Sequence, residues 1–191
     1  FNEAPESFTV TLTDPTGAGA TIVNGTGSVT IRDDEDEIVE LDGDSRSDLV
    51  VFHEPSGLWY MRTSSFGLVS SLGFGGPGYT PVPGDYDGDG FTDIAAYHAA
   101  SGLWFVRNSS TLAITTTGFG GPGYAPVRGD FDGDGKSDLA VFHDATALWF
   151  IKNSSNGSVT TVGFGASGYV TVPGDYDGDG KTDLAVYHPP A

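Results

Sequence analysis

The feature that most constrains this chain is a repeat of fixed length. GDYDGDGFTDIAAYH at 84–98 returns as GDFDGDGKSDLAVFH at 129–143 and GDYDGDGKTDLAVYH at 174–188, with a weaker copy, ELDGDSRSDLVVFH, at 40–53. Asp42, Asp87, Asp132 and Asp177 share one phase, each 45 residues after the last. His53, His98, His143 and His188 follow in step, as do Trp59, Trp104 and Trp149 and the pairs Phe74-Gly75, Phe119-Gly120 and Phe164-Gly165. A period without drift means one supersecondary unit used repeatedly, each copy burying its apolar face against the next.

Each period reads as four short strands. The first is TPVPGDY at 80–86 and its repeats at 125–131 and 170–176. The second, DIAAYH, DLAVFH or DLAVYH, is almost continuously apolar, which suits a strand buried on both faces. The third is LWYMR, LWFVRN or LWFIKN, and the fourth runs through VSSLGFG, ITTTGFG or VTTVGFG. A short turn such as AASG at 99–102 joins the second to the third as a hairpin. Pro81 and Pro83 lack an N–H, so the first strand must leave ladder positions unpaired. No stretch sustains a helical period. The expectation is an all-β fold of four-stranded, propeller-type blades over 38–191, three full and half of a fourth. Propellers typically need four or more blades, so either the N-terminal strands complete the last one or the chain is a piece of something larger.

Residues 1–37 lie outside the repeat. FTVTLTD at 8–14, ATIV at 20–23 and GSVTIRD at 27–33 read as strands separated by turn residues. The expectation is a β-sandwich fragment or a set of complementing strands, joined to the repeats by the acidic run Asp33–Glu37.

The chemistry lies between the first and second strands. Asp85-x-Asp87-x-Asp89-Gly90-x-x-Asp93 puts carboxylates at loop positions 1, 3, 5 and 9, and Gly at position 6 permits the turn that folds them inward. Calcium takes six to eight hard oxygens at flexible geometry, so such a loop suits it, with the position-7 carbonyl of Phe91 and a water completing the set. Magnesium prefers fewer protein ligands and fits less well. The matching sets are Asp130, Asp132, Asp134 and Asp138 with the Lys136 carbonyl, and Asp175, Asp177, Asp179 and Asp183 with the Lys181 carbonyl. The first loop offers Glu40, Asp42, Asp44 and Asp48 with the Arg46 carbonyl; Ser45 replaces its glycine, and it is expected to be the weakest of about four Ca2+ sites. An EF-hand is excluded, because its position-12 Glu is replaced by Ala96, Val141 or Val186 inside an apolar strand. A metal-free acidic turn would leave four crowded carboxylates repelling one another.

These loops, with the Phe-Gly-Gly-Pro stretch, resemble the FG-GAP/VCBS repeat family, calcium-binding blades also found in integrin α-chain propellers. The resemblance covers about 38–191. It implies extracellular, calcium-stabilised propellers used in adhesion, in ligand binding or in large surface proteins, and carries the metal ligands onto the Asp sets above. NEAPESFTVTL…GTGSVTIRDDE resembles the last third of a Calx-beta domain, whose acidic final strand end helps to hold calcium; the run by itself reads as a solvated linker, and the resemblance implies the alternative of a further ion at the junction.

The formal net charge of −18 and the lack of a basic patch argue against nucleic acid. No apolar run is long enough for membrane insertion, and no cysteine is present for disulfides or thiolate metal sites. The histidines recur as a repeat demands and read as structural. The tryptophans read as blade packing, with a glycan-stacking platform as the alternative. Arg62, Arg107 and Lys152 share one phase and are placed to neutralise nearby Asp. Asn24, Asn108, Asn153 and Asn156 begin N-x-S/T triplets, glycan acceptors only in a secreted eukaryotic setting. No catalytic constellation emerges. The expectation is therefore a non-enzymatic, calcium-stabilised module of an extracellular or cell-surface structural or adhesion protein. Its partners would be neighbouring domains or other copies of the chain, joined through open strand edges into a filament. The alternative is a lectin-like propeller module that binds glycans.

Overall fold

The computed structural model describes residues 39–190 and two strands ahead of them. Those strands, β1 (Glu6–Thr11) and β2 (Thr26–Ile31), pair antiparallel with Glu6 opposite Ile31 and Thr11 opposite Thr26. They belong to one compact unit, Phe1–Glu35, and the repeats belong to a second, Asp36–Ala191. The strand expected at 20–23 and the acidic run at 33–37 lie outside the described residues.

The second unit is a series of antiparallel meanders. β3 (Leu49–His53), β4 (Leu58–Arg62) and β5 (Val69–Gly73) make a three-stranded sheet. β6 (Tyr79–Pro81), β7 (Ile94–His98), β8 (Leu103–Arg107) and β9 (Ile114–Gly118) make a four-stranded one. β10 (Tyr124–Val127), β11 (Leu139–His143), β12 (Leu148–Lys152) and β13 (Val159–Gly163) repeat it, and β14 (Val170–Thr171) pairs with β15 (Val186–Tyr187). The all-β blades expected from the repeat are therefore present. The first strand of each blade is shorter than its sequence suggests: β6 ends at Pro81, and the pairing goes on only through the Val82 N–H to the Ala95 carbonyl and an isolated bridge, Gly84 to Asp93. Pro81 and Pro83 supply no N–H to that ladder, and beyond Gly84 the chain turns into the acidic loop.

The hairpin between the second and third strands is set by chirality and space. Gly102 takes φ +66°, and a Cβ there would lie 2.6 Å from the Gly120 carbonyl oxygen. The histidine that opens each hairpin locks it: His53 Nδ1 meets Ser56 Oγ, His98 Nδ1 meets Ser101 Oγ, and His143 Nδ1 meets Thr146 Oγ1, each at 2.7 Å.

Three apolar clusters form the core, and each spans two successive blades. Trp59, with Phe52, Met61 and Leu72, packs on Ile94 and Ala96 of the next sheet. Val82, Tyr97 and Trp104 pack on Val141, Leu139 and Phe150. Val127, Ala140, Phe142, Trp149 and Ile151 pack on Leu184 and Val186. The three tryptophans are fully buried. Their indole N–H groups donate to the carbonyls of Phe74, Phe119 and Phe164, at 2.7, 3.0 and 2.9 Å. This ties the third strand to the Phe-Gly stretch that leads to the next blade. The outward face of the first sheet is open: Leu49 and Val51 are 64% and 61% exposed, where their counterparts Ile94 and Ala96 are buried.

Replacing Trp104 with Ala removes a full aromatic side chain and its hydrogen bond, so denaturant unfolding should show a loss of about 3–5 kcal/mol. Phe66→Ala, at a site 80% exposed, should change stability by less than about 0.5 kcal/mol. Equal effects of the two would contradict this account of the core.

Candidate metal centre

Each acidic loop is organised by its first carboxylate. Asp85 Oδ1 accepts the Gly88 N–H at 2.6 Å and Oδ2 accepts the Gly90 N–H at 2.8 Å. Asp130 takes Gly133 and Gly135 in the same way, and Asp175 takes Gly178 and Gly180. The glycines allow this because the chain must pass through the left-handed region; Gly90 sits at φ +84°. Ser45 occupies the same position in the first loop at φ +60°. There Glu40 Oε1 accepts the N–H groups of Asp42 and Gly43 at 3.0 and 2.6 Å. Its Oε2 is buried without a hydrogen-bond partner, on a residue only 6% exposed.

Positions 1, 3 and 9 converge. One oxygen from each of Glu40, Asp42 and Asp48 lies within 4.8 Å of the others, and so for Asp85, Asp87 and Asp93, for Asp130, Asp132 and Asp138, and for Asp175, Asp177 and Asp183. The ninth residue is the buried floor of the site, with Asp93 and Asp138 fully buried. Burial pushes both of those carboxyls above the ordinary aspartate range, opposed mainly by the N–H of Ser109 and of Ser154. Asp93 takes Tyr86 N–H on Oδ2 and Ser109 N–H on Oδ1, at 2.9 and 2.6 Å. Position 5 stands outside these trios. Asp44, Asp89, Asp134 and Asp179 instead accept the backbone N–H of Arg46, Phe91, Lys136 and Lys181.

The donor set fits a hard divalent cation. It is all oxygen, and three carboxylates this close repel unless a positive charge lies between them. Buried carboxylate oxygens without partners are rare unless something else supplies the charge. Asp42 Oδ1 and Asp132 Oδ1 are such atoms, alongside Glu40 Oε2.

Two sets of residues at these loops carry roles that reading the Asp pattern alone passes over, although both recur with the repeat. The first is the hydroxyl residue at position 8. Thr92 N–H donates to the Glu40 carbonyl at 2.6 Å, and Glu40 N–H donates to Thr92 Oγ1 at 2.8 Å. Thr182 and Asp130 form the same reciprocal pair, at 2.7 and 3.0 Å. Ser137 N–H donates to the Asp85 carbonyl at 2.6 Å. The second, third and fourth loops are thus each fastened to the loop before through that loop's first ligand residue. Lys136 adds a second contact, its Nζ donating to the Asp87 carbonyl at 2.9 Å. The second set is a pair of serines after the third strand, Ser64-Ser65, Ser109-Ser110 and Ser154-Ser155. Ser65 donates its hydroxyl to Asp42, whose carboxyl is held below the ordinary range chiefly by that bond.

A family model for the FG-GAP-like repeat matches residues 41–96 and 130–186, more than half of the chain. The chain belongs to the FG-GAP-like repeat family. No curated protein and no solved structure gave a significant match. The matched FG-GAP-like segments contain the second, third and fourth acidic loops whole and the first from its second residue, leaving out Glu40.

Thr92→Val keeps the shape of the side chain but leaves the buried Glu40 N–H without its acceptor. Denaturant unfolding in chelator should show a loss of about 1–3 kcal/mol. A change below about 0.5 kcal/mol would show that the tie between loops contributes little.

Proposed function

We propose that this chain is a non-enzymatic, calcium-stabilised module of an extracellular or cell-surface structural or adhesion protein. The observation that carries the reading is the fourfold carboxylate trio, whose buried oxygens in the first and third loops lack any other partner. Calcium is the cation favoured by an all-oxygen site of flexible loop geometry. The position-5 carboxylates and the carbonyls of Arg46, Phe91, Lys136 and Lys181 are close in sequence and available to enlarge the set. Ion binding at such loops adds to folding free energy, because the unfolded chain holds no preformed site. The millimolar calcium outside cells fills even sites of modest affinity. The same setting suits a chain of charge −18, whose self-repulsion bound cations relieve. FG-GAP-like repeats are adhesion-type β-propeller modules, which agrees with this reading.

The VCBS relationship of the repeats and the Calx-beta relationship of residues 1–37, with its junction ion, belong to the same proposal. A calcium-dependent surface protein assembled from several β modules would carry both. The open face of the first sheet supports assembly. Leu49 and Val51 occupy the phase that every later blade buries against its predecessor. A further blade, from a neighbouring domain or another copy, would cover them by the same packing and build a filament. A glycan-stacking platform built on the tryptophans is not favoured, because Trp59, Trp104 and Trp149 are core residues.

Thermal unfolding in calcium, in magnesium and in chelator tests the proposal. Calcium at about 100 times its dissociation constant should stabilise the fold by about 2.7 kcal/mol per site, and magnesium by less. A melting temperature indifferent to chelator would overturn the calcium reading. Sedimentation of the same samples should show association in calcium, and a monodisperse monomer would contradict the filament.

A further inference from the structure

We infer that the tandem serine following the third strand of each blade is a positioning element for a divalent cation, holding the carboxylates of the adjacent acidic loop with one oxygen free to bind it. This inference rests on the calcium reading above and concerns residues outside the Asp pattern.

The same contacts recur in three blades. The first serine uses its backbone and its side chain on two different carboxylates. Ser64 N–H donates to Asp48 Oδ1 at 2.6 Å, and its hydroxyl donates to Asp44 Oδ2 at 2.6 Å. Ser109 does the same to Asp93 and Asp89, and Ser154 to Asp138 and Asp134. The second serine takes position 3: Ser65 on Asp42 Oδ2, Ser110 on Asp87 Oδ2, and Ser155 on Asp132 Oδ2. One dipeptide therefore grips positions 3, 5 and 9 of its loop.

The consequence at position 3 is specific. A carboxylate that accepts a hydroxyl on Oδ2 has its plane fixed. In Asp42 and Asp132 the remaining oxygen, Oδ1, is buried without a partner, and both residues belong to the carboxylate trios. Such an oxygen is costly when nothing meets it and is already oriented when a cation does. Glu40, nine-tenths buried with Oε2 unpartnered, contributes a second such atom to the first trio.

The serines are themselves held. Asn108 N–H donates to the Ala113 carbonyl and Leu112 N–H to the Asn108 carbonyl, both at 2.9 Å, which closes the turn around Ser109 and Ser110. Leu112 accepts φ +60° to do so, where the other two hairpins place Gly67 and Gly157.

The test uses the whole chain with Ser155→Ala and Ser155→Thr, beside Asp132 and its free oxygen. Ser155 is exposed, so the alanine leaves no cavity. Calcium affinities are read by calorimetric titration with a competing chelator, and melting temperatures in excess chelator. Ser155→Ala should weaken one site by about 10–100-fold, Ser155→Thr should restore it, and all three proteins should melt alike without metal. Unchanged affinity in Ser155→Ala, while the wild type binds normally, would overturn this inference alone. So would a lowered metal-free melting temperature in Ser155→Ala, or a failure of Ser155→Thr to restore binding, since either assigns the serine to the fold. A wild type that binds no calcium would overturn the calcium reading, and this inference with it.

Discussion

Crowded negative charge is what the rest of this structure is arranged around. Three carboxylates per loop lie within 4.8 Å of one another, and bringing them together costs free energy unless donors or cations offset it. Part of the offset is built in. The first carboxylate is wrapped by N–H groups of its own loop, the ninth is buried beneath two more, and the serine hairpin holds the third and fifth. The donors satisfy the outer lone pairs and leave a hard-oxygen centre. A divalent cation would complete what the backbone begins.

The loops also determine how blades meet. Apolar packing alone would let neighbouring sheets slide, because hydrophobic contact is not directional. The reciprocal bonds of Thr92 with Glu40, and of Thr182 with Asp130, fix the offset of one blade on the next at the first ligand of the preceding site. The apolar clusters run alongside, with one buried tryptophan in the leading blade of each pair. Core and acidic loops thus share the same neighbouring backbones, so a cation that stabilised a loop would stabilise the blade interface next to it.

Much of this was legible in the sequence, for identifiable reasons. A drift-free period placed every strand within a few residues, because each copy meets the same environment. The Asp spacing located the four loops, since a left-handed turn at position 6, made by glycine in three loops and by Ser45 in the first, brings those side chains together. The finer geometry depended on tertiary contact. That positions 1, 3 and 9 converge while Asp89 and its equivalents turn to backbone N–H could not be read from spacing. Ser45 and Glu40 suggested a weak first loop, yet the longer Glu40 side chain is buried and keeps a free oxygen. The serine pair and the position-8 hydroxyls were visible as repeats. What they touch lies 16 to 52 residues away, a distance that no local pattern encodes. Pro81 and Pro83 announced an interrupted strand but not that the Val82 N–H and a bridge at Gly84 would carry the pairing on.

The most direct measurement is amide hydrogen exchange at the residues that join one loop to the next, Thr92, Ser137 and Thr182, with calcium and with chelator. If ion binding stabilises the blade interfaces, exchange at these three amides should slow in calcium by a factor well beyond that seen at the exposed hairpin tips. Equal protection in both conditions, in a chain shown to bind calcium, would contradict the coupling of the metal centres to the fold.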